Sequence, residues 1–227
     1  MDLLNPDLLS GLLAIILIDL VLAGDNAIVI ALAARSLPGH LQKKAIIWGT
    51  VGAIAVRVAM TAIVVYLLRL PGLMLAGGVV LLPIAWKLLR QKEPDPEQHV
   101  GAASGFWAAM RTIIVADALM GLDNVLAIAG ASRGHLGLVI IGLLISVPLV
   151  VWGSTLILKL INRFPVVVYI GAGAIAWTAA RMISHDIWTR TWFDAHDGLR
   201  WVLDLVLVAG VCGLGAWAQW RDRRLPG

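Results

Sequence analysis

Two carboxylates and an amide stand inside an apolar run of this chain, Asp19-Leu-Val-Leu-Ala-Gly-Asp25-Asn26. The spacing returns 98 residues later as Asp117-Ala-Leu-Met-Gly-Leu-Asp123-Asn124. Both runs are long enough to cross a bilayer as helices. A charged side chain at the centre of such a helix costs roughly 2.5–3.5 kcal/mol on insertion scales, so it marks a function by default. Four of them at matched positions constrain the fold and the chemistry together.

The rest of the 227 residues agrees with a membrane environment. The chain is 60% hydrophobic and 14% charged, with a mean hydropathy of +0.89, whereas soluble domains carry about 25% charge. Seven apolar segments run over 8–34, 44–68, 72–90, 108–131, 136–160, 166–184 and 200–220. The expected fold is therefore all-α and polytopic, a single transmembrane domain of seven helices in contact with lipid. The net charge of +4 comes from basic residues in short loops, so it carries topology information and no nucleic-acid patch. Twelve Lys and Arg residues fall on one side and five on the other. The positive-inside rule then places the N-terminus outside and the C-terminus in the cytoplasm of a bacterial inner membrane. The first helix has no basic region before it and no clear cleavage site, and is read as retained. The single cysteine, Cys212, offers neither a disulfide framework nor a thiolate cluster.

The two halves read as a repeat. Asp19, Asp25, Asn26 and Arg35 align with Asp117, Asp123, Asn124 and Arg133 at one offset. With a short gap His40 meets His135, Gly49 meets Gly142, Pro71 meets Pro165 and Gly77 meets Gly171. Repeat one spans 8–90, the polar Pro-interrupted loop 91–107 separates the halves, and repeat two spans 108–184. Helix seven, 200–220, stands outside. Three helices per unit force the second copy to enter from the opposite face, so the repeat is inverted, with a site expected near the midplane where the halves meet.

On an ideal helix Asp19 and Asn26, seven residues apart, share a face, while Asp25 is turned away by roughly 120°. Ala23-Gly24 and Gly121 provide small residues at which the helices can kink or unwind, freeing carbonyls and swinging the second Asp inward. The pooled donors (Asp19, Asp25, Asn26, Asp117, Asp123 and Asn124) are all oxygen, with no His or Cys among them. That set suits a hard divalent cation such as manganese, magnesium or calcium over zinc or copper. Four full negative charges exceed what one divalent ion balances, so at least one Asp is expected to be protonated when the site is empty, which allows proton exchange.

The other polar residues receive structural readings. Arg57 is a counter-charge to one of the Asp residues rather than a ligand, because it repels cations. Asp204 pairs with Arg200 at i,i+4, and His40 and His135 are solvated. The acidic and histidine-bearing loop 185–199 is solvated, with Trp188, Trp192 and Trp201 in an interface belt. No nucleotide-binding loop, nucleophile elbow or metalloprotease helix occurs, and the aromatic context of an intramembrane aspartyl protease is missing. The chain is not expected to be an enzyme or to hold a tight cofactor.

The segments Asp19 to Ala27 and Asp117 to Val125 resemble the paired motifs of the TerC family of integral membrane proteins. Trp48-Gly-Thr-Val-Gly-Ala-Ile-Ala-Val-Arg57 is similar to that family's Gly-rich second helix. The family was named for tellurium resistance and is grouped with the LysE-type exporters. The resemblance implies efflux of a divalent metal, manganese first, with the matching Asp and Asn residues as ligands. Drive comes from an ion gradient, since no ATP motif is present. The alternative is a membrane assembly or metallation partner that binds metal without moving it. Which ion is carried, the oligomeric state and any protein partner stay open at this point.

Overall fold

The computed structural model describes residues 6–67, 70–91, 102–132 and 135–224. Among the described residues the chain is wholly helical, without a strand. The helices are α1 (Pro6–Ala34), α2 (Gly39–Ala62), a single turn α3 (Val64–Leu67), α4 (Leu73–Arg90), α5 (Ala102–Ser132), α6 (Leu136–Arg163), α7 (Val166–His185), a short α8 (Arg190–Asp194) and α9 (Asp197–Arg224). Six carry stretches long and apolar enough to cross a membrane. Taking α1 as one span, bent by 45° between Ser10–Asp19 and Gly24–Ala34, raises the number to as many as seven. Six of the seven expected segments fall on one long helix each, while 44–68 divides between α2 and the single turn α3 with a break at Ile63; most of the polar loop 91–107, together with Arg69 and Arg133, lies outside the described residues. Leu13, Trp48, Trp152, Leu205 and many other large apolar side chains point outward. In water such a surface would be penalised, but it is the surface that hydrocarbon solvates.

Two groups of helices pack within this envelope. Helices α1, α2, α5 and α6 form one group, with α1 chiefly on α6 and α5, and α2 chiefly on α5 and then α6. Helix α4 packs chiefly on α7, which also carries α9. Lipid gives no hydrophobic drive for helix association, so close contact depends on small residues that admit a neighbour's side chain. Gly142 of α6 receives Ile15 of α1; a Cβ there would lie 2.6 Å from its Cγ2. Gly49 of α2 receives Ile113 of α5 in the same way, at 2.8 Å from its Cδ1. Ile15 and Ile113 are fully buried and stand one turn before Asp19 and Asp117, so each notch sets the depth of an aspartate.

Both ends of α4 are tied by side chains. Asp186, at the end of α7, accepts the backbone N–H groups of Gly72 (3.0 Å) and Leu75 (3.1 Å) at the start of α4, and that of Trp188 at 2.9 Å. It is 1% exposed, so Asp186 departs from the solvated reading that most of 185–199 bears out: this carboxylate neutralises a helix N-terminus. Gly72 is left-handed at φ 83°, and the Trp188 ring lies where a Cβ would project. At the other end, Arg35 from the close of α1 donates to the carbonyls of Leu88 (3.0 Å) and Gln91 (2.5 Å). His40, His135, His185 and His196 are exposed, as are Trp188, Trp192 and Trp201.

Val in place of Gly49 or Gly142 should lower the unfolding temperature of the detergent-solubilised protein, consistent with about 1–3 kcal/mol of overpacking. Gly130→Ala, at a position with nothing within 4 Å, should leave it unchanged or raise it. Equal behaviour of all three would remove the seated isoleucines as packing determinants.

Candidate functional site

One arginine joins the two motifs. Arg57 of α2, 4% exposed, donates through Nη1 to Asp19 Oδ1 and through Nη2 to Asp117 Oδ1, the latter at 2.5 Å. The expected counter-charge is present, and it serves both aspartates. Gly121 lies against the guanidinium: a Cβ there would meet Arg57 Nε at 3.6 Å, an ordinary van der Waals contact. Gly24 faces open space. The two motif glycines, one place out of register, therefore have different surroundings.

The arrangement around the bridge is unequal. Ser146 of α6 donates to Asp19 Oδ2. The offset that relates Gly49 to Gly142 puts Ala53 where α2 would need that hydroxyl. Asp117 Oδ2 is accordingly buried with no hydrogen-bond partner among the described residues, as are Arg57 Nε and Thr50 Oγ1.

Asp25, Asn26 and Asn124 line a separate cavity of about 140 Å³, with Met120 of α5 and Trp177, Thr178 and Arg181 of α7. Asn26 is 4% exposed and Asp25 half-buried. The straight-helix expectation paired Asp19 with Asn26. The structure instead sends Asp19 to Arg57 and sets Asn26 beside Asp25, and the physical reason is the 45° bend between Asp19 and Gly24. Carboxylate, amide and hydroxyl oxygens meet there, a donor set for a hard cation. No three His, Cys, Asp or Glu side chains converge among the described residues, and the side chain of Asp123 lies outside them.

Arg181 was legible in the sequence only as one of five outer charges. In the fold it is within electrostatic reach of Asp25, and its guanidinium lies 5.5 Å from the Trp177 ring centroid. Ser146, Thr178 and Trp177 carry no motif and become visible only through packing. Asp204 does not pair with Arg200: it accepts from Trp177 Nε1 at 3.2 Å, while Arg200 pairs with Asp194. The turn before α9 brings Asp194 to the arginine that helix spacing would have assigned to Asp204. Cys212 is a free thiol, 3.6 Å from the Tyr169 carbonyl.

Helices with lipid-compatible surfaces around buried charge define a multi-pass integral membrane protein. Residues 4–223 match the family model described as "Integral membrane protein TerC family", and the chain belongs to that family. It is 43% identical over 208 residues to the uncharacterized membrane protein YjbE of Bacillus subtilis, covering 92% of this chain and 94% of that one. It is 26% identical over 184 residues to the UPF0053 inner membrane protein YoaE of Escherichia coli, covering 73% of this chain and 35% of YoaE. The uncharacterized membrane protein YkoY of Bacillus subtilis is 25% identical over 225 residues, 91% of this chain and 67% of its own. No solved structure matches the chain.

Arg57→Met would leave two buried carboxylates without their cation, a loss of about 3–5 kcal/mol for a broken buried pair. The unfolding temperature in detergent should fall steeply and recover most of the loss in the triple variant with Asp19→Asn and Asp117→Asn. No recovery in the triple variant would show that Arg57 stabilises the protein by packing alone.

Proposed function

We propose that this protein is a transporter that carries a divalent metal cation, manganese first, out of the cytoplasm by alternating access, driven by an ion gradient with proton exchange favoured. The observation that carries the reading is the cavity where Asp25, Asn26 and Asn124 present oxygen donors inside a membrane-spanning bundle. Asp19, Asp117 and Asp123 complete the proposed cation-binding set. Asp19 and Asp117 are held by Arg57 at the join between the halves.

The inverted three-plus-three repeat is supported by matched packing. Ile15 in the Gly142 notch and Ile113 in the Gly49 notch are repeat mates in mated helices, and the α1–α6 contact mirrors the α2–α5 contact. Twelve basic residues against five favour a cytoplasmic C-terminus, and the name of YoaE places that relative in an inner membrane. Arg181 fits the reading as a tethered cation that lines the cavity while stacked on the Trp177 ring, where it competes with cargo for Asp25.

Purified protein in liposomes should show manganese flux down an imposed gradient. Asp25→Asn should reduce it at least tenfold while the protein still inserts and folds. Manganese binding without flux in the wild type would support the metallation-partner reading, and flux unchanged in Asp25→Asn would remove the ligand assignment. Arg181→Gln should tighten manganese binding severalfold in titration calorimetry, because the competing charge is gone; weaker binding would mean that Arg181 helps to form the site.

A further inference from the structure

We propose that the groove between the close of α4 and the start of α5 is a binding site for an anionic phospholipid, whose headgroup phosphate is held between Lys87 and Arg111. The inference goes beyond the transport reading and does not depend on it.

The groove has a volume of about 280 Å³ and is lined by Ile84 and Lys87 of α4 with Ala108, Arg111, Thr112 and Val115 of α5. The two helices meet at Gly77, where a built Cβ would lie 3.3 Å from Leu119 and 3.7 Å from Leu122. Two turns further along α4 they leave the groove open.

Two cations from different helices border this space, and no carboxylate lines it. Among the described residues neither Lys87 nor Arg111 has an ion pair. The cations beside them are already engaged: Arg35 donates to the Leu88 and Gln91 carbonyls, and Arg90 lies 5.1 Å from the Trp86 ring centroid. In the repeat alignment Lys87 takes the place of Arg181, at the offset that relates Gly77 to Gly171. Arg181 shares its cavity with Asp25, whereas Lys87 shares its groove with a second cation. The two mates therefore call for ligands of opposite sign.

The direction of the groove favours a lipid over a soluble anion. Ile84 and Val80 stand about one and two turns before Lys87 on the same face of α4, and Val115 stands one turn after Arg111 on α5. Because α4 closes and α5 begins at this end, those apolar residues lie deeper in the membrane than the cations. Val80 and Val115 are exposed, as are Trp86 and Trp107, the neighbours in sequence of Lys87 and Ala108. Indoles mark the boundary between headgroups and hydrocarbon. A phosphate between Lys87 and Arg111 thus has acyl chains running inward over Ile84, Val80 and Val115. Thr112 donates its hydroxyl to the Ala108 carbonyl at 2.8 Å, which leaves the ammonium and the guanidinium as the donors to the phosphate. Basic pockets between membrane helices bind anionic headgroups on this principle.

Native mass spectrometry of the purified full chain, titrated with phosphatidylglycerol or phosphatidylcholine in detergent, tests the site. One phosphatidylglycerol should stay bound in preference to phosphatidylcholine. Lys87→Gln and Arg111→Gln should each weaken that binding about fivefold, and the double variant about 25-fold, from about 1 kcal/mol for each cation. Ala108→Leu keeps both charges but fills the groove, and should also weaken it severalfold. The pair Lys44→Gln and Lys159→Gln, exposed cations on other helices, should leave it unchanged. Equal retention of phosphatidylglycerol in the wild type and the Lys87 and Arg111 double variant overturns the proposal. An equal loss in the Lys44 and Lys159 control does the same, since net charge alone would then explain the effect. Displacement of the lipid by inorganic phosphate would identify a free-anion site and overturn the lipid assignment. Should the double variant not fold, the single variants and Ala108→Leu decide by the same criterion. No flux is measured, so each outcome leaves the transport reading where it stands.

Discussion

The Arg57 bridge is the interaction on which the rest of the bundle depends. Two aspartates on α1 and α5 approach each other inside a lipid-embedded bundle, where no water can solvate a spare charge. One guanidinium, presented by α2, satisfies an oxygen of each. Planar geometry makes Arg suited to this, since its fork can donate to two carboxylates at once, whereas Lys offers a point charge. The seating of Ile15 and Ile113 in the Gly142 and Gly49 notches sets the depth of the two aspartates, and Gly121 lies beside the guanidinium. A local sequence choice on three helices therefore fixes how the two halves meet.

That single arginine also breaks the symmetry that the repeated motifs would impose. The second repeat has no arginine equivalent to Arg57, and Ser146 has only Ala53 as its mate. One aspartate is fully satisfied while the other keeps an orphaned oxygen. A buried polar atom without a partner is costly and is retained where it serves a purpose.

Much of the architecture was legible beforehand because lipid simplifies the code. A helix must satisfy its own backbone and present apolar side chains over about twenty residues, so span boundaries follow from hydropathy. Asp19 and Asp117 were recognisable as the centre of the problem, and Arg57 as their counter-charge. Asp19 and Asn26 share a face only on a straight helix; the small residues Ala23 and Gly24 made a kink there legible, while its 45° angle and the neighbours it brings to Asp25 come from the packing. Arg181 was hidden for another reason: its charge reads equally well as a topology signal, and only the packing of α7 against α1 carries it to Asp25. Asp186 and Asp204 were misassigned because their partners come from distant or looped segments that helical spacing cannot see.

By itself, the sequence determined that this chain is a multi-pass helical membrane protein, that its halves share a motif, and which carboxylates had to be accounted for. Those properties follow from transfer energetics and residue spacing, which act locally. The tertiary structure decided how the carboxylates divide, with Asp19 and Asp117 in an arginine bridge and Asp25 with Asn26 and Asn124 in a cavity. It also decided the level at which each helix crosses its neighbour. Such choices depend on side-chain shape across helix interfaces, where a glycine notch or a 45° bend outweighs any periodicity along the chain.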